Sequence, residues 1–360
     1  MKRFSCQSCH HQVGFEATQC DGCGMALGYL PELATMSALQ PQTDGTWLPL
    51  EKKAQGRVHA FCVNHAYGVC NWLTVATDSE AFSGFCVACQ FNRIIPNLNV
   101  PENRERWYKL EVAKHRLFYT ILRLGLPFKS RRQDPENGLA FDFLDDAPDG
   151  STAIMTGHSN GIITIASKEA DDAYREKMRI EMGEYYRTLL GHFRHEIGHY
   201  YWNILVRDGG RLEACRAVFG DDRADYQAAL QTYYEQPPPA NWRENFVSFY
   251  ATCHPWEDFA ETWAHYFHIV STLETALAYN MTVSATGEGD VLLGHCGNPY
   301  TSMPFEEIIK AWVPLTYAVN NLNRSMGLQD FYPFTLTHGV IYKLHFIHDL
   351  IRDVQNRLPA

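Results

Sequence analysis

The sequence predicts an α+β chain in two parts: a small cysteine-rich region over residues 1–100, then a mostly helical domain with a small sheet over residues 101–360. Three observations predict it. Eight of the eleven cysteines fall in the first 89 residues, and six of those eight stand as C-x-x-C pairs. Beyond residue 100, apolar residues recur at spacings of three and four over long stretches, the period of an amphipathic helix. Between two such stretches lies Gly161-Ile162-Ile163-Thr164-Ile165-Ala166, β-branched and bounded by glycine, which reads as a strand.

At 360 residues with 46% hydrophobic and 13% aromatic content, the chain can bury one large core and carry a second small domain. Its formal charge of -10 argues against nucleic acid or an anionic membrane as the main partner, since phosphate contacts need clustered Lys and Arg. Met1-Lys2-Arg3-Phe4-Ser5-Cys6 starts basic but has no apolar segment behind it, and no run approaches the length of a membrane span. A cytoplasmic protein with no membrane partner is the expectation. In that compartment paired cysteines hold metal rather than disulfides.

The elements follow in order. Cys6-Gln7-Ser8-Cys9 and Cys20-Asp21-Gly22-Cys23 form two knuckles, and four soft ligands at this spacing suit a closed tetrahedral structural Zn²⁺ site. A thioredoxin-like redox pair is disfavoured, because there are two pairs and no βαβ pattern around them. In the second cluster Cys62, His65, Cys70, Cys86 and Cys89 compete for four positions. Thiolates outcompete imidazole at a structural site, which favours Cys62, Cys70, Cys86 and Cys89 and leaves His65 as a substitute. A zinc ribbon on so acidic a chain suits a protein partner better than nucleic acid.

Residues 94–101, between Pro96 and Pro101, read as an extended hinge, which places the domain boundary near residue 100. From 103 to 124, Trp107, Leu110, Val112, Ala113, Leu117, Phe118, Ile121 and Leu122 make one amphipathic helix, ended by Gly125 and Pro127. Residues 130–150 are a loop with a short strand near 139–144, and the strand at 161–166 follows. Helices are expected over 169–184 and from about 186 to 206, the latter closed by Gly209-Gly210. Residues 211–256 hold one or two more, broken at Pro237-Pro238-Pro239. Another starts at Pro255, with acidic residues behind it in the first turn, and runs to about Asn280. The tail over 304–358 is helical, punctuated by Pro314 and Pro333.

Chemistry concentrates in Gly191-His192-Phe193-Arg194-His195-Glu196-Ile197-Gly198-His199-Tyr200-Tyr201-Trp202, which holds an HExxH on an expected helix. Histidines four apart sit one turn above each other, so both imidazoles can grip one Zn²⁺ while Glu196 faces its water. Catalytic zinc needs a third protein ligand. The metzincin pattern fails, because Trp202 and Leu205 stand where it requires Gly and His. Glu257 and Glu261 on the helix after Pro255 share a face, which suits Glu257 as the ligand and Glu261 as the acceptor for a ligating histidine's outer nitrogen. Asp258 is the alternative ligand if that helix starts later. His192, His265 and His268 read as core histidines, and Cys215, Cys253 and Cys296 as buried small hydrophobes.

This arrangement resembles the gluzincins, in which thermolysin follows its Glu ligand with an acidic residue four positions on. It is similar also to the lethal-factor-type toxins, whose glutamate segment looks like Glu257-Asp258-Phe259-Ala260-Glu261. That second resemblance implies a tyrosine seven residues before the ligand, here Tyr250, that donates to the substrate's developing oxyanion. Tyr233, Tyr234 and His254 are alternatives. The zincin likeness also implies that the strand at 161–166 is an active-site edge that receives substrate as an added strand.

The two knuckle pairs, Cys70-Asn71-Trp72-Leu73, Asn92-Arg93-Ile94-Ile95-Pro96, the HExxH segment and Pro255-Trp256-Glu257-Asp258-Phe259-Ala260-Glu261-Thr262-Trp263-Ala264 together resemble a bacterial family of zinc-binding metallopeptidases with an amino-terminal zinc ribbon. The resemblance spans nearly the whole chain. It implies a zincin-like domain that cleaves peptide or protein substrates, with one catalytic and two structural Zn²⁺, His195 and His199 as ligands, and Glu196 as general base. The competing expectation is a non-cleaving zincin scaffold that recruits a protein partner through the ribbon.

Overall fold

A computed structural model describes residues 1–76, 84–147, 149–283 and 297–357. Its chain divides into two compact units: Lys2–Arg123 with Pro127–Arg175, and Met1 with Leu124–Leu126 and Glu176–Ala360. The change of character near residue 100 falls inside the first of these.

The first unit contains the three sheets found among the described residues. Strands β1 (Phe4–Ser5) and β2 (Gln12–Val13) carry the first knuckle. An antiparallel sheet in sequence order follows, of β3 (Leu27–Leu30), β4 (Thr35–Pro41), β5 (Trp47–Pro49), β6 (His59–Phe61) and β7 (Leu73–Val75). The third sheet has the order β10-β11-β9-β8, built from β8 (Asn92–Ile94), β9 (Ala140–Leu144), β10 (Gly157–Ser159) and β11 (Ile162–Ala166). Helix α1 (Asn103–Leu124) buries Trp107, Leu110, Leu117, Phe118 and Ile121, as its periodicity predicts. Tyr119 joins Phe15, Tyr29 and Trp72 in an aromatic core whose ring centroids lie 4.7–6.3 Å apart, a spacing at which edge-to-face pairs attract.

One expectation is overturned in this sheet. β11 is not an edge: it pairs antiparallel with β10 on one side and parallel with β9 on the other. The cause is local. Asn160 and Gly161 take φ of 45° and 81°, the left-handed pair of a two-residue hairpin turn whose twist matches the strands. That turn folds β10 back onto β11, so no row of unpaired backbone groups is left on β11 for a substrate strand.

The second unit is helical: α3 (Leu189–Tyr201), α4 (Leu212–Phe219), α5 (Tyr226–Glu235), α6 (Pro255–Ala278), α7 (Phe305–Ser325) and α8 (His338–Arg357). Helix α2 (Asp172–Glu181) is shorter than the expected span over 169–184, because Ser167–Ala170 forms a 3₁₀ turn ahead of it. The division between the units falls within α2. Beyond Tyr201 the chain continues as a π-helical segment, Trp202–Arg207, a form that recurs at functional sites. Helix α6 is the axis of the unit and is buried along most of its length. Trp263 stacks on Tyr201 of α3 at 4.8 Å, and Phe259 packs against Phe219 of α4 at 5.5 Å. No helix among the described residues is long and apolar enough to cross a membrane.

Candidate metal centre

Helices α3 and α6 build the centre. Thr188 starts α3 as its N-cap, its Oγ1 accepting from Gly191 N at 3.0 Å and so satisfying one of the end donors that the helix cannot. His254 caps α6, its Nδ1 accepting from Trp256 N at 3.1 Å, and Pro255 takes the first turn. Each helix then presents two chemical groups one turn apart, His195 with His199 and Glu257 with Glu261. The helices meet closely at Gly198. A Cβ there would stand 3.0 Å from Ala260 Cα and 3.2 Å from Trp263 Cβ, so the absent side chain is what lets α6 approach.

The result is a buried triangle. His195 Nε2 lies 2.9 Å from Glu257 Oε2 and 3.2 Å from His199 Nε2, and His199 Nε2 lies 3.3 Å from the same carboxylate oxygen. Zn²⁺ bonds of about 2.0–2.1 Å give a tetrahedron with edges of about 3.3 Å. The triangle therefore has the size of one face of a zinc coordination shell. Donor chemistry agrees with geometry. His195 Nδ1 lies 2.7 Å from Glu261 Oε1, which as the donor side leaves a lone pair on Nε2 aimed at the Glu257 carboxylate. His195 Nε2, His199 Nε2 and Glu257 Oε2 are thus close enough together to be shared by one cation.

The electrostatics show how strongly the cluster favours positive charge beside Glu257. Burial pulls the His195 imidazole down, but hydrogen bonds to Glu257 and Glu261 outweigh it and hold the pKa well above the usual histidine value. Glu257 shows the converse: burial would raise it, and the two histidines hold it well below the carboxylate range. Glu196 is buried on the same helix but is not one of the three clustered ligands. Burial raises its pKa to about 7, with His195 opposing and Glu257 and Glu261 adding to the rise. A carboxyl poised there can accept a proton at neutral pH and release it again.

The segment before α6 supplies further partners. Ser248 Oγ donates to Glu261 Oε2 at 2.5 Å, and Tyr226 OH donates to Glu257 Oε1 at 2.8 Å. The ring of Tyr250 lies 5.7 Å from that of His195. Burial, then the Glu257 charge, push its phenol pKa far up, so it stays a neutral donor. Tyr233 instead packs its ring against Phe249 and Tyr250, Tyr234 is exposed, and His254 is engaged at the helix cap. Asp258 is turned away from the triangle and accepts from Lys343 Nζ at 2.6 Å. His265 meets Tyr332 OH at 2.7 Å in the core, and His268, half-buried, accepts from Arg194 at 2.6 Å. His192 is half-buried on α3, Cys215 and Cys253 are buried, and Cys296 lies outside the described residues.

The cysteines form two further clusters. Cys6 and Cys23 sulfurs are 3.7 Å apart, Cys9 and Cys20 3.6 Å, and Cys70 and Cys86 3.8 Å. Bonds of about 2.3 Å from Zn²⁺ to sulfur give edges of about 3.8 Å, so both sets fit a closed tetrathiolate site. His10 and Gly24, each just after a C-x-x-C pair, take φ of 62° and 73°, which turns the chain back around the thiolates. Cys62, Cys70, Cys86 and Cys89 are brought together in full burial, whereas His65 stacks on Phe61 and its Nδ1 meets Cys70 O at 2.9 Å. Sequence reasoning missed the α1 residues behind this cluster. His115 Nε2 lies 3.5 Å from Cys70 Sγ and 3.7 Å from Cys89 Sγ, and Glu111 pairs with Lys114 at 2.7 Å in full burial. The signal was present as charged residues inside an apolar helix stripe. Tyr226 and Ser248 were missed as well, and nothing local in sequence marks them.

Two family models match this chain: one described as "Putative zinc-binding metallo-peptidase" over residues 103–350, and one described as a zinc-ribbon domain over residues 3–100. Relatives from Mycobacterium bovis and Mycobacterium tuberculosis, each described as an uncharacterized protein, are 38% identical over 355 residues, covering 98% of this chain and 96% of theirs. No solved structure matches.

Proposed function

Because the chain belongs to this zinc-binding metallo-peptidase family, we propose that it hydrolyses peptide bonds at a zinc held by His195, His199 and Glu257, with Glu196 as general base. The observation that carries the reading is the buried triangle of two imidazole nitrogens and one carboxylate oxygen, with a fourth ionisable group, Glu196, buried on the same helix but outside it. Zn²⁺ bound there supplies Lewis acidity toward a substrate carbonyl and acidifies the attacking water. Glu196 takes that water's proton and delivers it to the leaving amine. Tyr250 offers its phenol hydrogen to the charge developing on the carbonyl oxygen. Glu261, itself held by Ser248, fixes the orientation and tautomer of His195.

The two cysteine clusters hold structural zinc, which makes the proposed stoichiometry three per chain. A test follows directly. Glu196→Gln is expected to keep three zinc and lose hydrolysis of unfolded casein, a loose substrate suited to an enzyme of unknown specificity. Undiminished cleavage by that variant refutes the assignment of the base, and no cleavage by the wild-type chain supports a non-cleaving scaffold.

A further inference from the structure

The carboxylate of Glu257 has two oxygens, and the fold uses them differently. Oε2 faces both histidine nitrogens, while Oε1 accepts the hydrogen of Tyr226 at 2.8 Å. A ligand carboxylate whose second oxygen is free can swing to bind through both, which fills a position that water needs at a catalytic zinc.

The delivery of Tyr226 is built into the chain. It is the first residue of α5, whose start is fixed by Asp225: Oδ1 accepts from Ala228 N at 3.0 Å. The residue before that cap is tied to the other helix. His254 Nδ1 accepts from Trp256 N, which leaves Nε2 as the protonated nitrogen, and Nε2 lies 3.0 Å from Ala224 O. One histidine thus starts α6 and anchors the approach to α5, so Glu257 and Tyr226 are positioned from a common point. The Tyr226 ring packs edge-on against His254 at 5.4 Å and Trp256 at 6.0 Å, and Trp256 lies over His199 at 3.7 Å. The phenol, the carboxylate, the imidazole and the indole form a closed set around one ligand.

We propose that Tyr226 is a positioning residue of the metal centre: its phenol holds Glu257 as a one-oxygen ligand, which tightens zinc binding and keeps a coordination position open. The proposal rests on the reading of His195, His199 and Glu257 as a zinc site. It is tested by dialysing the full chain against stepped concentrations of nitrilotriacetate and counting retained zinc, for the wild type, Tyr226→Phe, His195→Ala and, as a control at an exposed tyrosine on α7, Tyr317→Phe. Partners of ligating groups are worth about 10–100-fold in metal affinity. Tyr226→Phe is therefore expected to lose its third zinc at a chelator concentration at least about tenfold lower than the wild type, while Tyr317→Phe behaves as the wild type. The two cysteine-held zinc remain in every variant and report that the fold is intact.

A second measurement separates positioning from general destabilisation. After removal of the third zinc, Tyr226→Phe is expected to melt below wild type only by the one hydrogen bond lost, and on adding zinc back the variant gains the smaller rise in Tm. Release of the third zinc at wild-type chelator concentrations overturns the proposal, as does a two-zinc form that already melts lower by the whole difference. If the wild type holds only two zinc, or His195→Ala keeps three, the metal reading fails and the proposal with it. If His195→Ala loses the third zinc and Tyr226→Phe does not differ from wild type, only the role of Tyr226 is refuted.

Discussion

Gly198→Ala probes whether the closeness of α3 and α6 creates the metal triangle. The added Cβ would sit 3.0 Å from Ala260 Cα, 3.2 Å from Trp263 Cβ and 3.3 Å from Ala260 O. Carbon atoms pack best at about 3.5–4.0 Å, so α6 must withdraw by about half an ångström at this crossing. The neighbour that has to give is mainly backbone on a helix buried on nearly all sides, with no rotamer to change. Overpacking of this kind costs about 1–3 kcal/mol, and replacing a helical glycine by alanine returns about 1 kcal/mol. The expected net effect is a loss of up to about 2 kcal/mol in stability. The effect on metal is larger in kind. Glu257 lies one turn before Ala260, so the same half ångström stretches two edges of the triangle, which now measure 2.9 and 3.3 Å. Urea unfolding of the chain and zinc retention against a graded chelator measure the two consequences separately. If Gly198→Ala unfolds at higher urea and keeps its third zinc as tightly as wild type, helix propensity governs the site and the close-approach argument is wrong.

Two further outcomes are expected from the same unit. Lys343 Nζ donates to Asp258 Oδ2 and to Asn245 O, each at 2.6 Å, with both charged groups buried. Lys343→Met leaves that carboxylate unpaired and is expected to cost about 3–5 kcal/mol in urea unfolding; adding Asp258→Asn should restore part of it, and full tolerance of Lys343→Met alone would refute the pairing. His265 is held neutral, burial lowering its pKa to about 4 against an opposing pull from Glu261. The folded chain then binds fewer protons than the unfolded one between pH 4 and 6.5, so stability is complete above about 6.5 and falls as pH drops toward 4, by about 3 kcal/mol in total. The urea midpoint of His265→Gln is expected to fall less over that window than that of wild type, and parallel curves would refute the assignment.

What could be read from the sequence was local along the chain. His195 with His199, and Glu257 with Glu261, are related by one helical turn, so their spacing alone puts each pair on one face. The knuckle cysteines were legible for the same reason. The sheet was less so. Asn160-Gly161 is a hairpin signal that turns β11 into a central strand, while β5, β6 and β7 have three residues each and β3 and β4 are buried in continuous runs, so no alternation stands out. The partnerships of residues that act across long separations could not be read from the sequence. Tyr226 meets a carboxylate thirty-one positions away, and His115 meets Cys70 forty-five positions away; both partnerships exist only once the helices have packed.

The long connection between the two metal helices acquires a purpose from those late partnerships. From residue 208 to 254 it could be a surface loop, yet four of its side chains converge on the first two turns of α6. Tyr226 holds Glu257, Ser248 holds Glu261, Tyr250 lies against His195, and His254 caps the helix. Glu257 and Glu261 thus each have one oxygen turned toward a histidine and the other satisfied by a hydroxyl from this connection. A carboxylate in a buried site is positioned only when both oxygens are accounted for, because an unpaired oxygen draws the group toward any other donor. The inserted helices therefore act on the proposed metal centre through Glu257 and through Glu261, the partner of His195, so that HExxH and ExxxE build the site in company with the segment between them.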